Sequence, residues 1–171
     1  MNRLQLATLL SWAGDKGIQG RKRLQKIVYF LQYAGCPLQC QYTLHHFGPY
    51  SRDVADACDE MVAAGLIVET GGPKGGSMQY EYSLAPQTSK LLERTVDAQL
   101  QAFKSLGTEL LTESLWTLEL GSTILFFYSQ DLDWPAALTK ACEFKKVQPE
   151  HATSLDSLTL AKRVHESSVH V

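Results

Sequence analysis

The chain has 171 residues, 44% apolar, 20% charged and 9% aromatic, and 16 Lys and Arg against 18 Asp and Glu leave a net charge of -2. A chain of this length buries roughly 70% of the surface its unfolded form exposes, so a core needs neither disulfide nor metal. The near balance of charge excludes a histone-like polycation and an acidic disordered tail.

Leu6, Leu9, Leu10 and Ala13 mark one face of a first helix ending at Gly14, and Gly17 to Gly20 supply a turn. The periodicity predicts a second helix from Arg21 to about Ala34: Leu24, Ile27, Val28 and Leu31 recur at helical spacing, while Lys22, Lys26, Tyr29 and Tyr33 line another face. Residues 42–47 alternate as a short strand closed by Gly48-Pro49, and a third helix from about Ser51 to Ala64 turns Val54, Cys58 and Met61 inward. Leu66-Ile67-Val68 opens a β-hairpin that returns through Tyr80 to Leu84. Three helices, this hairpin and a strand before the third helix that is free to pair with it outline a winged-helix-like lobe, residues 1–86, with a long glycine-rich wing at 71–79.

The remainder, residues 87–171, reads as a helical lobe packed on the first as one compact unit. A long helix from Gln87 to about Leu106 carries Leu92, Val96, Gln99, Leu100 and Phe103, and Gly107 breaks it. Residues 113–129 are apolar nearly all round, the mark of a buried helix. Asp133-Trp134-Pro135 starts a helix to about Lys146, Ser154 starts the last one, and 166–171 read as a loose tail. The expected fold is mainly α with a small antiparallel β-sheet.

The run Gly20-Arg21-Lys22-Arg23-Leu24-Gln25-Lys26-Ile27-Val28-Tyr29-Phe30, then Phe47-Gly48-Pro49-Tyr50-Ser51 and Leu66-Ile67, resembles the YwgA-like family of uncharacterised bacterial proteins. Leu118-Glu119-Leu120-Gly121-Ser122-Thr123-Ile124 extends that likeness over most of the chain. More distantly, Leu24-Gln25-Lys26 and Phe47-Gly48-Pro49 are similar to the Panacea, or SocA-like, domain of bacterial antitoxins and a proteolysis adaptor. This resemblance implies protein neutralisation or delivery and transfers no catalytic residue.

Charge is unevenly spread: residues 1–34 carry six basic and one acidic side chain, residues 35–70 one basic and five acidic. Arg21, Lys22, Arg23 and Lys26, followed by Tyr29 and Tyr33 and joined by Lys74 on the wing, suit phosphate contact and base stacking, or are a solvated helix start. The exposed set of the third helix is Arg52, Asp53, Asp56, Asp59 and Glu60, which a phosphate backbone would repel. That stripe suits docking to a basic protein, or is solvated helix exterior stabilised in part by the helix dipole.

Four cysteines, Cys36, Cys40, Cys58 and Cys142, are too few for a secreted disulfide scaffold and fit a reducing cytoplasm. Cys36 and Cys40 are spaced C-x3-C rather than the commoner zinc spacing C-x2-C, and neighbouring strand histidines face opposite ways, so at most one of His45 and His46 could join them; no metal or other cofactor is expected. Lys74 precedes a strand and stands in no P-loop, and no hydrolase motif is present. The longest strongly apolar run, 124–128, is far short of the roughly 20 residues of a membrane span. Trp116, Phe126, Phe127, Tyr128 and Trp134 read as core, or as a protein interface wherever they stand exposed. The expected function is a non-catalytic protein-interaction module of a bacterial regulatory or antitoxin-like system, with an unidentified protein partner; the alternative is a nucleic-acid-binding regulator acting through the start of the second helix.

Overall fold

The computed structural model describes residues 1–74, 77–95 and 97–168, and for 73, 74, 77 and 78 the backbone alone. The chain is mainly helical, with a three-stranded and a two-stranded antiparallel sheet. Helix α1 (Arg3–Trp12) starts at a capping box, in which the Asn2 side chain accepts from Gln5 N–H at 2.9 Å and Gln5 Oε1 accepts from Asn2 N–H at 2.8 Å. A single 3-10 turn (Gly14–Lys16) leads into strand β1 (Ile18–Gln19). Helix α2 (Arg21–Tyr33) keeps its expected bounds.

The expected strand at 42–47 is instead two strands, β2 (Thr43–His45) and β3 (Gly48–Tyr50), which pair with each other. Gly48, at φ +91°, permits the return, because positive φ costs a glycine little. Helix α3 (Arg52–Ala63) follows, then strands β4 (Ile67–Lys74) and β5 (Ser77–Leu84). The partner on the far side of β5 is β1, with Ile18 opposite Tyr82, so the order is β1-β5-β4 and the strand at 42–47 takes no part. The glycine-rich stretch is also largely strand rather than loop, paired from Gly71 opposite Tyr80 to Lys74 opposite Ser77; Gly75 and Gly76 lie outside the described residues.

Gln87–Leu106 is not one helix but the short α4 (Pro86–Leu92) and α5 (Ala98–Gln101), followed by α6 (Lys104–Thr112). Asp97 caps α5, its carboxylate accepting from the N–H groups of Gln99 and Leu100, so a new helix starts where the pattern suggested continuity. Val96, expected on the apolar face, lies outside the described residues. Gly107 sits inside α6: a Cβ there would come within 2.4 Å of the Trp12 ring, so its role is close packing rather than breakage.

Helix α7 (Leu115–Tyr128) is buried on nearly every side and packs against α2, α8 (Trp134–Lys145) and α9 (Ala152–Ser168). Gly121 brings α7 close to α9, where an added Cβ would stand 3.0 Å from the Ser157 carbonyl oxygen. The expected tail from 166 is helical through Ser168, and 169–171 lie outside the described residues. One continuous apolar core runs from Leu6 to Val164. Among the described residues no helix is long and apolar enough to cross a membrane.

Candidate functional site

Gln25 and Lys26 point inward from α2 toward the turn between β3 and α3. Gln25 bonds Ser51 twice: its Nε2 donates to the Ser51 carbonyl at 2.8 Å and its Oε1 accepts from Ser51 N–H at 2.9 Å. Lys26 Nζ donates to the Pro49 carbonyl at 2.6 Å. Gly48 lies against α7, at Thr123 and the Glu119 carbonyl. Three sequence stretches far apart in the chain, 24–26, 47–51 and 118–124, therefore converge at one place.

Charge concentrates there. Glu119 is 5% exposed; its Oε2 accepts from Lys145 Nζ at 3.1 Å, and its Oε1 is 3.9 Å from Lys22 Nζ. Lys26, 2% exposed, completes a set of three ammonium groups around one carboxylate. A lysine is seldom buried, and burial has pushed Lys26 down to about 7, against the pull of Glu119 and with the help of Lys145 and Lys22. Because the unfolded chain then holds the proton more tightly than the fold between about pH 7 and 10.5, stability rises with pH across that window. Replacing Lys26 with Met is expected to flatten this rise, read as the change in urea unfolding midpoint between pH 7 and pH 9.

Phe47, at the tip of the β2–β3 hairpin, is 46% exposed, and Lys22 Nζ sits 3.2 Å from its ring centroid. Lys145 Nζ lies 5.9 Å from the same ring, 5.8 Å from Trp116 and 6.0 Å from Phe144. Trp116 and Phe144 are each 37% exposed, so three aromatic rings meet solvent around one ammonium. Beside them a groove of about 340 Å³ runs between α2, the β2–β3 hairpin and α3.

The basic and aromatic surface expected on α2 does not form as such. Lys26 and Tyr29 are buried, the latter edge-on to Tyr42 with centroids 4.9 Å apart. Arg23 donates to the carbonyls of Glu113 at 2.6 Å and Leu111 at 3.4 Å. Arg21 bonds Glu69 through Nε at 3.0 Å and Nη2 at 2.7 Å, and Tyr82 donates to the same oxygen at 3.0 Å. Tyr33 meets His165 Nδ1 at 3.0 Å, and His165 is boxed by Tyr128 and Trp134, whose rings stack at 3.8 Å. Arg21 and Lys22 keep exposed heads that bond no backbone group, Arg21 paired with Glu69 and Lys22 set 3.9 Å from Glu119; Lys74 ends β4 with its side chain outside the described set.

On α3 the outer face is exposed, yet arginines accompany its carboxylates. Asp56 pairs with Arg52 at 2.9 Å, Asp59 stands 3.9 Å from Arg21 and Glu60 3.7 Å from Arg3. Asp53 is half-buried and accepts from the Gln41 N–H at 2.7 Å. Cys36 and Cys40 are buried, and burial pushes the Cys36 thiol up to about 12. His46 lies in the turn rather than the strand, so the His45 and His46 rings sit 5.1 Å apart instead of on opposite faces. Phe127 is buried as expected for core, whereas Trp116 is exposed. Sequence reasoning missed Gln25, Phe47, Glu119, Phe144 and Lys145. Glu119 had a legible signal, since a carboxylate inside a helix apolar on all sides must have a buried cation as partner.

No protein-family model matches the chain. It is 35% identical over 122 residues to the Uncharacterized protein YwgA of Bacillus subtilis (strain 168), an alignment covering 71% of this chain and 73% of that protein.

Proposed function

We propose that this chain, which belongs to the YwgA-like family, acts as a non-catalytic protein-interaction module of a bacterial regulatory or antitoxin-like system. The aromatic patch carries this reading: Phe47, Trp116 and Phe144 stand exposed around Lys145. Aromatic rings are enriched at protein interfaces, and hot spots gather on such anchors. Helices α1, α2 and α3 and the β4–β5 hairpin with β1 beside it support describing residues 3–84 as winged-helix-like, and the resemblance of Leu24-Gln25-Lys26 and Phe47-Gly48-Pro49 to the Panacea domain is what suggests a neutralising or delivering role. The partner segment this surface suits is apolar and acidic, because the exposed ammonium of Lys22 lies over the Phe47 ring. A nucleic-acid role has less support, since Arg23 and Lys26 are held by backbone carbonyls, Arg21 is paired with Glu69 at the surface, and few cations remain to track phosphates.

The triple variant Phe47→Ala, Trp116→Ala, Phe144→Ala is expected to keep its helical circular dichroism and to lose at least about tenfold in partner capture from cells of the source organism. The variant Asp56→Lys, Glu60→Lys is expected to retain capture, measured by quantitative mass spectrometry. Undiminished capture by the triple variant overturns the reading. Tight binding of duplex DNA that weakens steeply with salt would put nucleic acid in its place.

A further inference from the structure

We propose that the groove between α2, the β2–β3 hairpin and α3 binds a small amphipathic oxyanion, a phosphate or carboxylate carried on an apolar body, with Lys22 and Lys26 holding the anionic head. The first argument is charge. Lys22, Lys26 and Lys145 share the single carboxylate of Glu119, which already accepts a hydrogen bond from Lys145 and stands 3.9 Å from Lys22. When all three are protonated the cluster lacks two negative charges, and both Lys22 and Lys26 line the groove. An anion seated there would supply what the fold leaves out, in surroundings where charge pairing is stronger than in water.

Hydrogen bonding points the same way. An ammonium has three N–H donors, and among the described residues Lys26 gives one, to the Pro49 carbonyl. The remaining donors sit on a side chain 2% exposed, at a wall of the groove, where a multivalent oxygen acceptor would satisfy them. Arg21 and Asp59 face each other across 3.9 Å on the same lining, so they add little net charge.

Shape and polarity then limit the rest of the ligand. The groove holds about 340 Å³, near the lower end of small-molecule sites. Leu24, Val54, Ala55 and Cys58 give it an apolar wall and Phe47 an aromatic edge. A bare inorganic ion would leave that wall unused, so an aromatic or aliphatic body attached to the anion fits better.

Isothermal titration of the full chain with phenyl phosphate, phenylacetate, inorganic phosphate and benzyl alcohol tests this. At least one phenyl anion is expected to bind one-to-one, about tenfold or more tighter than inorganic phosphate, and benzyl alcohol is expected not to saturate. The tighter of the two phenyl anions assigns the head as phosphate or carboxylate. Lys22→Met, at an exposed position, is expected to keep its unfolding midpoint and to lose binding at least about tenfold. The proposal is overturned if neither anion saturates by about 10 mM, if benzyl alcohol binds equally well, or if Lys22→Met binds like the parent. The groove shares Phe47 and Lys22 with the docking patch, but Trp116 and Phe144 do not line it, so Trp116→Ala with Phe144→Ala separates the failure of one reading from that of the other.

Discussion

Glu119→Gln is expected to lower the unfolding free energy at pH 7 by about 3 kcal/mol. The substitution keeps the shape of the side chain and an oxygen to accept from Lys145, and it removes the one negative charge that faces Lys22, Lys26 and Lys145. Breaking a buried pair by removing one partner costs about 3–5 kcal/mol, because the survivor stays desolvated and uncompensated. The lower end applies here, since Lys26, already held down to about 7, can shed its proton and relieve part of the repulsion. Urea unfolding gives the number. Adding Lys26→Met to Glu119→Gln is expected to recover part of the loss, a coupling that a double-mutant cycle reads directly. A loss below about 1 kcal/mol would mean that water, not Glu119, compensates the lysines.

The second large effect lies a few ångströms away. Gly48→Ala is expected to cost roughly 2–4 kcal/mol, from two separable sources. At φ +91° any side chain strains the backbone, and the added Cβ would stand 2.4 Å from Thr123 Oγ1 and 3.3 Å from the Glu119 carbonyl oxygen. Thr123 is not free to yield, because its hydroxyl donates to that same carbonyl at 2.6 Å. In a Thr123→Ala background the clash with Oγ1 disappears, and what should remain is the tight approach to the Glu119 carbonyl together with about 1–2 kcal/mol of backbone strain. An equal loss in both backgrounds would show that the clash is absorbed by movement of the hairpin.

The elements that periodicity predicted well are those whose burial is one-sided or complete over several turns: α2, α3, α7 and α8. Strand β1 escaped because two residues between glycines show no alternation; its place is set by pairing with Tyr82, more than sixty residues later. The long helix at 87–106 was an error of the opposite kind. Apolar spacing persists through it, while Asp97 restarts the helix locally. The site was legible as motifs and not as chemistry. Lys26 reads by residue type as exposed, and only the Pro49 carbonyl and Glu119, brought in from elsewhere in the chain, make it buried. Phe47 and Phe144 fail in reverse, as aromatic residues that the fold leaves in solvent.

The packing of α2 against α7 also sets an order of events at the ribosome. Tyr29 and Phe30 lie on the inner side of α2, with the Tyr29 and Phe126 centroids 6.5 Å apart and Phe30 beside Gly121. Every strand among the described residues has been synthesised by Leu84, yet the helix that covers those rings ends at Tyr128. At about 5–20 residues per second, a nascent chain would carry that uncovered apolar face for several seconds. A polypeptide stopped near residue 86 would keep it bare, and as bait it would collect proteins on a surface that the finished fold hides.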